Sequence, residues 1–229
     1  MNKINNSNTM KTSTKKFITA NFALATTLAL LAGCVSHSYD KGAATSTALN
    51  STATAVAQTS VSVNGVLAAM NNLTFKAAGD LRVQYDAFVS ASKDLDSSMK
   101  NLDSKVVALQ STAANYLNNW TNKMALIQNE ELRKRSAERK DEVSGKLNEV
   151  ENNYQGVKSS LLPFTSDLKD IQTYLGTDLT PGGLATIKDI VAKTKVDAVP
   201  LRDSIKTLQG SFTSLSTALS PVMPGAATK

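Results

Sequence analysis

Cysteine, histidine and tryptophan each occur once in the 229 residues, and aromatic side chains of all kinds make up 5% of the chain. With one cysteine, Cys34, the chain closes no internal disulfide, so the fold has no covalent staple. The lone histidine, His37, cannot assemble a Ser-His-Asp triad, a histidine metal cluster or a proton shuttle. No Gly-x-x-x-x-Gly-Lys-Ser/Thr loop is present to cradle phosphates, and no Asp-x-Asp-x-Asp-Gly loop to hold calcium. Carboxylate pairs such as Asp94 with Asp96, and Asp167 with Asp170, read as exposed helix faces rather than acid–base dyads. These absences predict a non-catalytic protein with no cofactor and no metal.

What the sequence does contain begins with an address. Lys3, Lys11, Lys15 and Lys16 precede an apolar run from Phe17 to Leu31, the layout of a signal peptide and too short for a membrane span of ~20 apolar residues. Met10 opens a tidier signal than Met1 and is an alternative start. The run ends in Leu31-Ala32-Gly33-Cys34, which resembles the lipobox of bacterial lipoproteins. That resemblance implies removal of residues 1–33, a diacylglyceryl and palmitate-type acyl anchor on Cys34, and a membrane-tethered product. Val35 and Ser36 follow the cysteine where inner-membrane retention favours Asp, which implies an outer-membrane lipoprotein facing the periplasm. Four of the 25 Lys+Arg and none of the 19 Asp+Glu lie in residues 1–33, so the formal +6 falls to +2 beyond them. A net +2 gives no argument for nucleic acid as a partner.

Composition organises the rest. Residues 34–47 are small and polar and read as a lipidated flexible tether. Residues 220–229, with Pro221, Pro224 and Gly225, read as a disordered tail. Between them, residues 48–219 read as a single domain rich in Leu, Ala, Val, Ser, Asp and Lys. Apolar positions there repeat in alternating steps of four and three, the signature of packed amphipathic helices. One stripe runs Leu95, Met99, Leu102, Val106, Leu109, Ala113, Tyr116, Trp120; a second runs Val143, Leu147, Val150, Tyr154, Val157, Leu161. The longest runs from Leu184 through Ile187, Val191, Thr194, Ala198, Leu201, Ile205, Leu208, Phe212 and Leu215 to Leu219. A weaker one joins Leu49, Ala53, Val56, Ser60, Val63, Leu67 and Met70. Polar members such as Ser60 and Thr194 fit register marking either within one chain or in a homo-oligomer.

Turn chemistry separates the stripes. Gly79-Asp80, Asn129 before Glu130-Glu131, and the Gly176 to Gly183 segment predict helices over 46–73, 80–127, 130–175 and 183–219. Pro163 and Pro200 fall where the heptad phase continues on both sides and are expected to kink their helices rather than end them. The expectation is an all-α, elongated antiparallel bundle, with the two central helices as a hairpin about 70 Å long. Pairing positions whose numbers add to about 259 matches the two central stripes and sets Trp120 opposite Arg139; Trp120 reads as a large core residue, with a guanidinium stacked on its indole as the alternative.

Leu81 with Tyr85, Asn119-Trp120, and Asn129-Glu130-Glu131-Leu132-Arg133-Lys134-Arg135-Ser136 resemble an uncharacterised bacterial family of helical proteins, a domain of unknown function. Its members carry a Ser/Asn-x-x-Leu-Arg-Arg-Ser-Ser turn, from which this chain departs at Lys134 and Arg135; an acidic residue stands where it has Asn119. The resemblance covers residues 45–219 and implies a helical coiled-coil fold. Arg133, Lys134, Arg135 and Arg139, with Lys140, crowd the start of a helix, where cations oppose the macrodipole. Glu130, Glu131, Glu138 and Asp141 are positioned to answer them; the alternative is an anionic-partner contact. Three roles follow: a structural or adaptor rod anchored through Cys34 and reaching an envelope protein or peptidoglycan, a regulatory module for an envelope machine using a flank such as Leu49 to Met70, or a helical membrane-active protein. The last lacks an apolar tongue.

Overall fold

A computed structural model describes residues 40–77 and 79–220; the signal segment, Cys34, His37 and the tail from Pro221 lie outside the described residues. Among the described residues there are five helices: α1 (Asp40–Phe75), α2 (Leu81–Met124), α3 (Glu130–Thr177), α4 (Pro181–Thr186) and α5 (Lys188–Leu219). Among the described residues there is no strand. The expected all-α bundle is the fold.

Each break has the chemistry the sequence offered for it. Asp80 caps α2 by accepting from the Arg82 amide at 2.9 Å, after Gly79 turns the chain at φ +73°. Asn129 caps α3 through the Leu132 amide at 2.9 Å, with Glu130 and Glu131 at the positive end of the dipole. Thr180 caps α4 through the Gly183 amide at 3.1 Å, and Pro181 occupies the first helical position. Pro163 and Pro200 lie inside unbroken α3 and α5.

The four long helices run up, down, up, down. Cross-helix bonds fix the directions: Thr52 Oγ1 to the Lys105 carbonyl (3.2 Å) for α1 and α2, Lys195 to Asn71 (2.9 Å) for α5 and α1, and Ser160 to Ser204 (3.1 Å) with Lys146 to Ser214 (2.9 Å) for α3 and α5. α1 packs most closely on α2, α3 on α5, and the α2–α3 seam is the widest of the four. One end of the bundle therefore holds the start of α1, the α2–α3 turn and the end of α5. The other holds the α1–α2 loop and the α3–α4–α5 corner.

The heptad stripes become one continuous core. Every α5 stripe position from Leu184 to Leu215 is buried, and the α3 stripe continues beyond Leu161 through Phe164, Leu168, Ile171 and Leu175. The α2 stripe likewise extends back from Leu95 to fully buried Phe88.

Two expectations are corrected. α1 begins at Asp40, not 46, so residues 40–47 are helix rather than tether. Thr45 is fully buried there, and a Cβ on Gly42 would sit 3.8 Å from the Tyr116 ring. Small side chains, read as a linker composition, let α1 lie close against α2. The α1 stripe is also shifted: Leu49, Val56, Val63 and Met70 are buried as expected, but Thr45, Thr52, Thr59, Val66 and Leu73 alternate with them in place of Ala53 and Ser60. Threonine has the shape of valine, and its hydroxyl bonds back into its own helix, Thr52 to Ala48 at 2.7 Å and Thr59 to Ala55 at 2.9 Å. Thr194 does the same to Ile190 at 2.8 Å. Satisfied in this way, a buried hydroxyl avoids the penalty of an unpaired donor.

Candidate functional site

The basic cluster sits at the α2–α3 turn. The chain leaves α2 through Leu126 and Ile127, whose amides bond to the Lys123 and Met124 carbonyls at 3.1 Å, and re-enters helix at Glu130. Arg133 and Lys134 are exposed at this tip, and Arg133 reaches only the Ile127 carbonyl at 3.4 Å. Arg135 is answered by Glu131 at 2.8 Å, one helical turn back, with both side chains largely in water. Arg139 is bound to Glu142 and to the Ala218 carbonyl on α5. The structure thus keeps Arg133 and Lys134 together as outward cations, pairs Arg135 with Glu131 on the surface and ties Arg139 to α5.

Trp120 packs against the core as a large, partly buried residue, and the alternative stacking of Arg139 on it does not form. Trp120 instead donates its indole N–H to Ser136 Oγ at 2.9 Å and packs edge-on to Tyr116, with ring centroids 5.6 Å apart. Arg139 turns away because α5 presents a C-terminal carbonyl, a better partner for a guanidinium than a ring face. The hairpin register is otherwise as expected: Tyr85 to the Gln172 carbonyl (3.0 Å), Tyr154 to Asp103, Gln110 to Glu151 and Trp120 to Ser136 all fall within three residues of the predicted pairing. Long side chains, Tyr85, Gln110, Trp120 and Tyr154, bridge this widest seam.

Sequence reasoning passed over two residues beside the cluster. Leu126 is 69% exposed and Leu132 56%. Both lie off the heptad stripes, which was the available signal: an apolar side chain out of phase with the core has nowhere to be but the surface.

Electrostatics elsewhere are structural. Burial pushes the Tyr154 hydroxyl well above the usual tyrosine range, and its hydrogen bond to Asp103 adds to that. Burial also raises Tyr116, while Arg139 acts the other way. The Arg139 hydrogen bond holds Glu142 below the ordinary carboxylate range. Asp167 and Asp197 together raise Lys193, which ties α5 to α3 at 2.8 Å. A raised Tyr154 favours the neutral phenol in the fold, so its contribution is complete below about pH 10 and is lost as pH climbs through the folded value. Alkaline titration followed by tyrosinate absorbance should therefore show a late phase that disappears in Tyr154→Phe; an unchanged late phase would refute the assignment.

Among the described residues, no group of three or more His, Cys, Asp or Glu could hold a metal ion. Of the carboxylates considered above, Asp96 pairs with Lys100 at 2.6 Å and Asp167 with Lys193 at 2.8 Å. The two best-formed depressions are open: one between α1 and α2 beside Ser62 and Ser98, the other at the tip beside Glu130 and Lys134.

A family model described as "Protein of unknown function (DUF2959)" matches residues 38–215. The chain belongs to that family. The matched span is nearly coextensive with the bundle from Asp40 to Leu219, so what defines this DUF2959 protein is its four long helices. No curated protein and no solved structure shows detectable similarity to it.

Proposed function

We propose that this DUF2959 protein is a non-catalytic envelope lipoprotein, acylated on Cys34 and held at the outer membrane facing the periplasm, where its bundle acts as a structural or adaptor rod. The observation that supports this reading is the bundle itself: a single core drawn out along helices of up to 48 residues, about 70 Å. Such a shape sets a distance. The Leu49 to Met70 flank is an unsuitable docking stripe for a regulatory module, since Leu49, Val56, Val63 and Met70 are consumed by intramolecular packing. No helix among the described residues is long and apolar enough to cross a membrane, which gives the membrane-active reading no support.

Because α1 starts at the same end as the α2–α3 turn, the partner-facing end is the far one. Exposed Phe75, Val83, Tyr174 and Ile190 gather there from four helix ends. In-cell photo-crosslinking from Val83 is expected to capture one envelope protein or peptidoglycan, and Cys34→Ser to release the chain from the membrane fraction. Capture from neither Val83 nor Tyr174 would remove the adaptor role; membrane retention of Cys34→Ser would remove the anchor.

A further inference from the structure

We propose that the α2–α3 turn is a foot that rests on the surface of an anionic lipid membrane. The inference rests on the anchored reading above and concerns a surface that reading leaves unassigned. Its basis is a comparison of two lengths. α1 starts alongside the level of Tyr116 in α2, as Gly42 and its contact with that ring show. From Tyr116 to the end of α2 at Met124 the hairpin projects about 12 Å further, at 1.5 Å per residue, and the turn extends beyond that. The chain from Asp40 back to Cys34 spans six residue steps, a contour of about 20 Å. An anchor on Cys34 therefore lies within about 20 Å of the start of α1, a reach comparable to the projection of the hairpin. A rod standing on that anchor brings its tip to the level of the headgroups.

The tip has the chemistry for that position. Leu126 and Leu132 are apolar and more than half exposed, sized to enter the headgroup boundary without spanning it. Lys123, Arg133 and Lys134 surround them in solvent, where an anionic leaflet attracts each within a screening length. Arg135 contributes less because Glu131 already pairs with it. Glu130 opposes the attraction and leaves the patch basic on balance. The far end carries exposed Lys76, Arg82 and Lys188 as well, but Asp80, Asp178 and Asp189 lie at the same helix ends and offset their charge, and Lys195 there lies over the Phe75 ring at 4.3 Å and is bound to Asn71.

The test uses the full chain with Trp120→Phe, so that one introduced tryptophan reports depth. Leu126→Trp or Val83→Trp is reconstituted in phosphatidylcholine vesicles, with or without phosphatidylglycerol, and quenched by bromine-labelled lipid acyl chains. A foot predicts quenching at Leu126→Trp at least twice that at Val83→Trp. It also predicts a twofold or greater loss when phosphatidylglycerol is omitted, when salt is raised to about 1 M, or when Arg133→Glu and Lys134→Glu are added. Equal quenching at both ends means a rod lying flat, and no quenching at the tip means a tip facing something other than lipid; either overturns the foot. Mass analysis of the Cys34 peptide reads acylation separately, so failure of the anchor and failure of the foot give different results.

Discussion

Replacing Phe164 by alanine should cost the bundle about 3–5 kcal/mol, the range for removing a buried phenylalanine, and lower its melting temperature by roughly 10 °C. Phe164 is fully buried one residue after the helix-internal Pro163, in the half of α3 that the shorter sequence stripe left out. The size of the effect follows from two terms: the aromatic surface returned to water and the cavity that a rigid four-helix packing cannot collapse. Two residues earlier on the same helix, Leu162 is 70% exposed. Leu162→Ala should change stability by less than about 0.5 kcal/mol. Thermal or urea unfolding of the two variants side by side checks the assignment of faces; comparable losses would show that α3 does not present the phase described here.

Gly183→Ala should be the second most damaging single change, at about 1–3 kcal/mol, while its neighbour Gly182→Ala should be neutral or slightly stabilising. A Cβ on Gly183 would lie 2.1 Å from the Asp178 carbonyl oxygen, and backbone cannot swing aside as a side chain tip does. On Gly182 the nearest atom would be Thr180 Oγ1 at 3.6 Å, an ordinary contact. Gly183 also supplies the amide that Thr180 caps, and the turn it permits seats Leu184 and Ile187 in the core. Opening the turn would therefore strip two buried side chains from the α3–α5 corner as well as one hydrogen bond. Unfolding midpoints for the two variants decide it, and equal midpoints would refute the close approach.

The two glycines show where sequence reading stops. Gly176 through Gly183 could be identified as a break because glycine, threonine and proline each disfavour continued helix for local reasons. Which glycine is indispensable depends on how closely Asp178 folds back, a distance that no local preference encodes. Trp120 gives the same lesson in the hairpin. Its register followed from counting, but its partner depended on α5 ending beside Arg139 and drawing the guanidinium away.

The sequence by itself determined that the described chain is helical, where three of its four long helices are interrupted or capped, and which face of α2, α3 and α5 is apolar. It could do so because those are local properties: a side chain's phase along a helix and a cap's reach to a backbone amide need no distant neighbour. Only the tertiary structure decided that α1 begins at Asp40, that threonines at 45, 52 and 59 belong in the core, and that the basic turn lies at the same end as the chain's entry into the bundle. Threonine and alanine carry too little hydrophobicity to announce burial. They are buried because α2 comes close enough to exclude water, and that closeness, like the shared end, is a property of the assembled bundle.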